Sequence, residues 1–256
     1  MLKTRIIPTL LWKDVGLVKG IGFNSWRRVD TILPAIKVYN IREVDELIVV
    51  DINATIQGKE IDFESIYEFS QECFIPLTVG GGIKNIEDVK KLLRSGADKV
   101  SINSAAYENP DLIRKISEKF GSQCVVISID ARKNENGEYV CYSHCGTKCV
   151  NISPAQWALE VEKLGAGEIL ITSVELDGTM KGYDLELIKQ VAKSVKIPVI
   201  ASGGAGNYQH MYEAISVSGA SAVAAASIFH FTEQTPLEAK KYLAGKGIPV
   251  RNVNAR

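Results

Sequence analysis

Two glycine-rich turns stand at matching places in this chain, Gly80-Gly81-Gly82 after IPLTV and Gly203-Gly204-Ala205-Gly206 after IPVIAS. Without Cβ atoms, such a turn lets backbone N–H groups approach an anion, and a following helix N-terminus adds its positive end. Each turn has a companion one strand further on, Asn103-Ser104 in the first case and Ala226-Ser227 in the second. The pairing suits a ligand with a phosphate at either end. The plainer reading is that these glycines only make tight strand-to-helix turns. Three carboxylates fall near the ends of apolar runs: Asp51, Asp130, and Asp177 in LDGT. A carboxylate there is a candidate acid–base group or ligand contact. Asp177 precedes Gly178 and also suits an Asx turn.

The first apolar run, RIIPTLL, aligns with CVVISID, which sets Leu11 opposite Asp130. A symmetric site would carry two opposed carboxylates, and an aliphatic side chain cannot transfer a proton. After Leu11 a long loop is expected, about residues 12–30, with Lys19 placed to meet a substrate phosphate or simply to be solvated. At the opposite ends of the apolar runs stand Arg5, Glu46, Lys99 and Glu168. They are either a polar floor or a ring of alternating sign across an axial passage. A cysteine-rich patch, Cys141, His144, Cys145 and Cys149, lies in a predicted hairpin turning at Asn136-Gly137. Its spacing does not match paired zinc-ligand signatures, so no metal and no cofactor are expected.

The elements that must position these residues are short apolar runs alternating with amphipathic ones. Eight strands are predicted at 5–11, 46–51, 75–80, 99–103, 124–130, 168–173, 197–202 and 222–227. Helical spacing marks 86–95 and 184–194, and Gly96, Gly121, Gly165 and Gly219 suit helix ends. The stretch from Ile75 reappears from Ile197, with Gly81 matched by Gly203 and Ser104 by Ser227 after one inserted residue. Four units written twice predict a single (βα)₈ barrel domain over residues 1–256, built from homologous halves of about 1–120 and 121–256. An open doubly wound sheet accounts less well for the repeat.

Thirty basic residues balance thirty acidic ones, with no charged run that would suit nucleic acid. No apolar run approaches the roughly 20 residues of a membrane span, and MLKTRIIPTLLW does not read as a signal peptide. Five cysteines do not suggest a disulfide framework, so a reducing cytoplasm is the expected location.

Taken together, RIIPTLL, VVDI, IPLTVGGGI, GADKVSINSAA, GSQCVVISIDA, GAGEILITS, DGTMKGYDLEL, IPVIASGGAG and AAASIFHF resemble the cyclase-subunit family of imidazole glycerol phosphate synthase over nearly the whole chain. The resemblance implies a (βα)₈ barrel that takes ammonia from a glutaminase partner through its floor. At the top, a bisphosphate formimino-ribulosyl carboxamide nucleotide would become imidazole glycerol phosphate and aminoimidazole carboxamide ribonucleotide, in histidine biosynthesis. It implies a floor gate of Arg5, Glu46, Lys99 and Glu168, and a partner contact at Asp98. It also implies phosphate or substrate contacts from Lys19, Asp51, Gly81, Gly82, Asn103, Ser104, Asp177, Gly178, Gly203, Gly204, Ala226 and Ser227, with Asp130 as a catalytic acid–base. The family's other catalytic aspartate falls at Leu11, where CLDVKDGR reads TLLWKDVG. Losing such a group commonly costs about 10²–10⁴-fold in rate. That departure resembles paralogues linked to surface-polysaccharide genes, in which a glutaminase–barrel pair supplies ammonia to a sugar-amidinating enzyme.

Overall fold

In the computed structural model, which describes residues 3–14, 16–42 and 44–251, twelve strands form one sheet. They are β1 (Arg5–Lys13), β2 (Gly16–Ile21), β3 (Asn24–Asp30), β4 (Leu47–Asp51), β5 (Leu77–Gly80) and β6 (Lys99–Ile102). They continue as β7 (Val125–Lys133), β8 (Tyr139–Ser143), β9 (Lys148–Cys149), β10 (Glu168–Ser173), β11 (Val199–Ser202) and β12 (Ala222–Ala225). Eight of them run parallel in the order β10-β11-β12-β1-β4-β5-β6-β7, and β7 pairs with β10 to close the ring. Helices lie between the barrel strands, so the fold is the expected (βα)₈ barrel. The repeated segments become β5–β6 and β11–β12, with equivalent strands four apart around the ring of eight.

The strands are rich in Val and Ile because both of their faces are covered. Outward side chains pack with the helices in a large shell, which includes Ile6, Leu10, Leu47, Val79 and Ile127. Inward ones form a separate small cluster on the axis, with Ile7, Ile48, Val126, Leu170, Ile200, Ala222 and Ala224. The helices begin on side chains that satisfy free N–H groups. Asn85 accepts from Glu87 and Asp88 N–H in a capping box, and Thr235 does likewise with Glu238.

Strand boundaries differ from expectation for local reasons. β5 starts at Leu77 and β11 at Val199, just past Pro76 and Pro198, which have no N–H to give a ladder. β12 stops at Ala225 because a short helix, Ser227–Phe231, starts almost at once.

The expected loop at 12–30 is corrected by the structure. The end of β1 pairs antiparallel with β2 (Leu11 opposite Val18), and β2 with β3 (Lys19 opposite Arg27). Val15, inside that stretch, lies outside the described residues, as do Met1, Leu2, Glu43 and 252–256. Ile21 faces Asn24 across a two-residue turn, Gly22-Phe23, with φ of 58° and 63°. Two consecutive positive φ angles match the twist of a hairpin, normally announced by Asn-Gly. Gly-Phe is not that signal, so the strands read as a loop. The second hairpin, β7 to β8, forms as expected, with Gly137 N–H bonded to Asn134 O at 2.9 Å.

The axial cluster leaves little room for collapse. Truncating Ile48, which is fully buried, by Ile48→Ala should cost about 2–5 kcal/mol in urea unfolding.

Candidate functional site

Alternation along a strand sends every second side chain to the axis. On β1 these are Arg5, Ile7, Thr9 and Leu11, and on β7 they are Val126, Ser128 and Asp130. The barrel interior therefore has three levels: charged at the strand starts, apolar in the middle, polar at the carboxyl ends.

At the carboxyl ends lies a cavity of about 1210 Å³, counting the space open at its mouth. All the predicted upper-rim residues line it together: Leu11, Lys19, Asp51, Gly81, Gly82, Asn103, Ser104, Asp130, Asp177, Gly178, Gly203, Gly204, Ala226 and Ser227. The two glycine turns form separate corners, one beside the end of β6 and one beside the end of β12. Close backbone packing explains two of the glycines. A Cβ on Gly81 would come within 2.1 Å of Asp51 O, and one on Gly204 within 2.0 Å of Gly182 O. These turns need glycine whatever they bind.

The serines add an independent signal. Ser227 is 5% exposed, and its hydroxyl, in the cavity wall, has no hydrogen-bond partner. Thr9 Oγ1, in the same wall, also lacks one. Buried polar atoms are normally satisfied, so these two point to a polar guest. At the other corner Ser104 is already engaged. Its Oγ accepts from His144 N at 3.0 Å and lies 3.3 Å from Asn103 Oδ1. One turn past Ser227, burial lowers His230 to about 4, so that imidazole is neutral at pH 7.

Asp130 is buried at the end of the barrel stretch of β7, opposite Thr172 of β10. Asn103 Nδ2 donates to its Oδ2 at 3.2 Å and reaches the carbonyls of Ser128 and Tyr142 at 3.1 and 3.3 Å. Burial, reinforced by the negative charge of Asp177, pushes the Asp130 carboxyl up to about 7, with Arg132 pulling the other way. A carboxyl so tuned can give or take a proton near neutral pH. Leu11 sits on the same wall level, paired with Val50 of β4, and offers no proton.

The other two acids, alike in the sequence, take different parts. Asp51 makes the Asx turn, its Oδ1 accepting from Asn53 N at 2.8 Å and Ala54 N at 3.0 Å. Asp177 instead pairs with Lys19, whose ammonium leaves the hairpin and is 3% exposed. Lys19 thus sits on Asp177, whose neighbour Leu176 packs against Gly204. The hairpin tip is fixed there too, with Gly22 N–H bonded to Asp177 O at 2.9 Å.

Other lining residues escaped the sequence reading. Thr9, Ser128, Thr172 and Ser202 are inward positions near strand ends, and alternation could have found them. Phe23 and Trp26 reach the cavity from the first hairpin and Cys145 from the turn between β8 and β9, which no local pattern announces. Cys141, Cys145 and Cys149 are free thiols. Burial raises the Cys141 and Cys145 thiols to about 12, away from the reactive thiolate. Among the described residues, no group of three or more His, Cys, Asp or Glu side chains could hold a metal ion.

At the floor the four charges close into a ring. Arg5 contacts Glu46 at 2.6 Å and Glu168 at 3.0 Å, and Lys99 contacts the same two at 2.9 and 3.2 Å. Thr78 Oγ1 donates to Glu46 at 2.7 Å. Asp98 is exposed beside the ring, its carboxylate accepting from Leu77 N at 2.8 Å.

A closed (βα)₈ barrel with a charged floor and a polar, acid-bearing cavity at its carboxyl end defines the general class. The chain belongs to the histidine biosynthesis protein family, whose model matches residues 5–235. It is 49% identical over 251 residues to the imidazole glycerol phosphate synthase subunit HisF of Chlorobaculum parvum, covering 98% of this chain and 100% of that one. The corresponding subunit of Prosthecochloris aestuarii is 48% identical over the same shares. A Campylobacter jejuni protein, named provisionally as synthase subunit hisF2, is 49% identical over 98% of this chain and 99% of its own. Among the described residues, no helix is long and apolar enough to cross a membrane.

The raised Asp130 carboxyl has a consequence for stability. The folded chain keeps a proton that the unfolded chain loses near 3.8. Stability contributed by this proton is full below that value and is lost as pH rises to about 7. The loss should be on the order of a few kcal/mol, and Asp130→Asn should flatten it when urea midpoints are followed from about pH 4 to about pH 8.

Proposed function

We propose that this chain is the ammonia-using cyclase subunit of an imidazole glycerol phosphate synthase. It would convert the bisphosphate formimino-ribulosyl carboxamide nucleotide to imidazole glycerol phosphate and aminoimidazole carboxamide ribonucleotide. The observation that carries this reading is one cavity joining Asp130 to two separated glycine–serine corners, above a charge ring on the same barrel axis. The corners suit a phosphate at each end of one ligand, and the unpartnered Ser227 hydroxyl supports this at the β12 corner. Asp51, Asp177 and Gly178 would contact the ligand between them. The names of the relatives favour the same reaction.

The partner is a glutaminase docked on the floor around Asp98. Phe74 and Ile41, 84% and 83% exposed, lie at this end and supply apolar surface for it. Ammonia would enter through the ring of Arg5, Glu46, Lys99 and Glu168. Removing Arg5 detaches both carboxylates from one side of that ring. Arg5→Ala should therefore lower product made per glutamine hydrolysed, while product made from added ammonium stays within about threefold of wild type.

Leu11 favours a second reading: a cyclase-impaired paralogue that stimulates the glutaminase and passes ammonia to a sugar-amidinating enzyme in surface-polysaccharide synthesis. Purified chain, bisphosphate nucleotide and ammonium chloride separate the two. The cyclase reading expects imidazole glycerol phosphate at rates on the order of 1 s⁻¹, and little change with Leu11→Asp. The conduit reading expects no product from wild type, full glutaminase stimulation, and product only after Leu11→Asp.

A further inference from the structure

We propose that the Lys19 ammonium, held on Asp177, is the second proton carrier of the cavity and works with Asp130 in place of the carboxyl that position 11 lacks. This rests on the cyclase reading above.

The placement is what argues for it. Leu11 faces Val18 across the β1–β2 pair, so Lys19 is the next residue along the strand lying beside the apolar position. The backbone at Lys19 is fixed opposite Arg27, and Gly22 ties the hairpin tip to Asp177 O. The hairpin thus reaches across the mouth, with Gly20 O against Gly178, and the Lys19 side chain meets Asp177 in the segment after β10, the strand that neighbours Asp130 on β7. Its ammonium is committed to Asp177, in a wall shared with Asp130. Burying an ammonium is costly unless it is paired, and Asp177 provides that pairing while leaving further N–H bonds of Lys19 for a ligand.

The chemistry closes with these two groups. As the ammonia nitrogen forms its bond to the substrate ketone carbon, Lys19 gives a proton to the carbonyl oxygen. The Asp130 carboxylate takes one from the added nitrogen, which leaves a carbinolamine. Asp130 then returns its proton to the hydroxyl as the C–O bond breaks and water departs. Neutral Lys19 takes a proton from nitrogen as the C=N bond forms. Ketone and ammonia have become imine and water, and both side chains end as they began.

The test uses the full chain with the bisphosphate nucleotide and ammonium chloride, so that the glutaminase and the floor play no part. Lys19→Met, which keeps the side-chain volume, should lower kcat by about 10²–10⁴-fold while KM moves less than about threefold. Adding Leu11→Asp to Lys19→Met should recover at least about tenfold of kcat, because a carboxyl again serves that side. A rise in KM with kcat unchanged, or a double variant no faster than Lys19→Met, overturns the proposal alone. No product from wild type overturns both the proposal and the reading beneath it. If Lys19→Met does not give a cooperative melt, Asp177→Asn takes its place. It should show the same fall in kcat and the same recovery with Leu11→Asp, and an unchanged kcat overturns the proposal.

Discussion

Closure of the parallel ring between β7 and β10 is the constraint on which the rest of the molecule depends. Once that edge is paired, inward and outward positions are set on every strand, because a slip by one residue would exchange them. The charged level, the apolar axial cluster and the polar level follow from this single register. Arg5 and Leu11 occupy the two ends of the same inward row on β1, and Asp130 tops the corresponding row on β7. The floor and the cavity are thus both placed by one ladder.

The barrel and the upper rim were legible because both rest on local rules. Val- and Ile-rich runs declare buried strands, and the repeat declares how many. Strand ends declare the rim, so every predicted upper-rim residue does line one cavity. What was hidden depended on contacts far apart in sequence. The β2–β3 hairpin turns on Gly22-Phe23, a pair that carries no conventional hairpin signal. Asp51 and Asp177 looked interchangeable, since each ends a strand or follows one. Only the fold shows that one carboxylate is spent on Asn53 and Ala54 N–H while the other meets Lys19.

The two repeated glycine corners follow equivalent barrel strands and differ in chemistry. One corner has an unpartnered serine hydroxyl, and the other has its serine bonded to the backbone of the second hairpin. One wall carries a carboxyl tuned by burial, and the matching place is aliphatic. Each hairpin extends from the end of β1 or β7, the strands that carry Leu11 and Asp130. The hairpins lean together at the mouth, where Gly146 packs so close to Phe23 that a Cβ there would lie 3.0 Å from its ring.

The floor ring has a property that a simple ion pair lacks. Each carboxylate touches both cations, and each cation touches both carboxylates. Should Lys99 withdraw, Glu46 and Glu168 would both remain bridged by Arg5, and neither anion would be stranded in a poorly solvated place. The circle can thus part at one member without the full penalty of an orphaned charge.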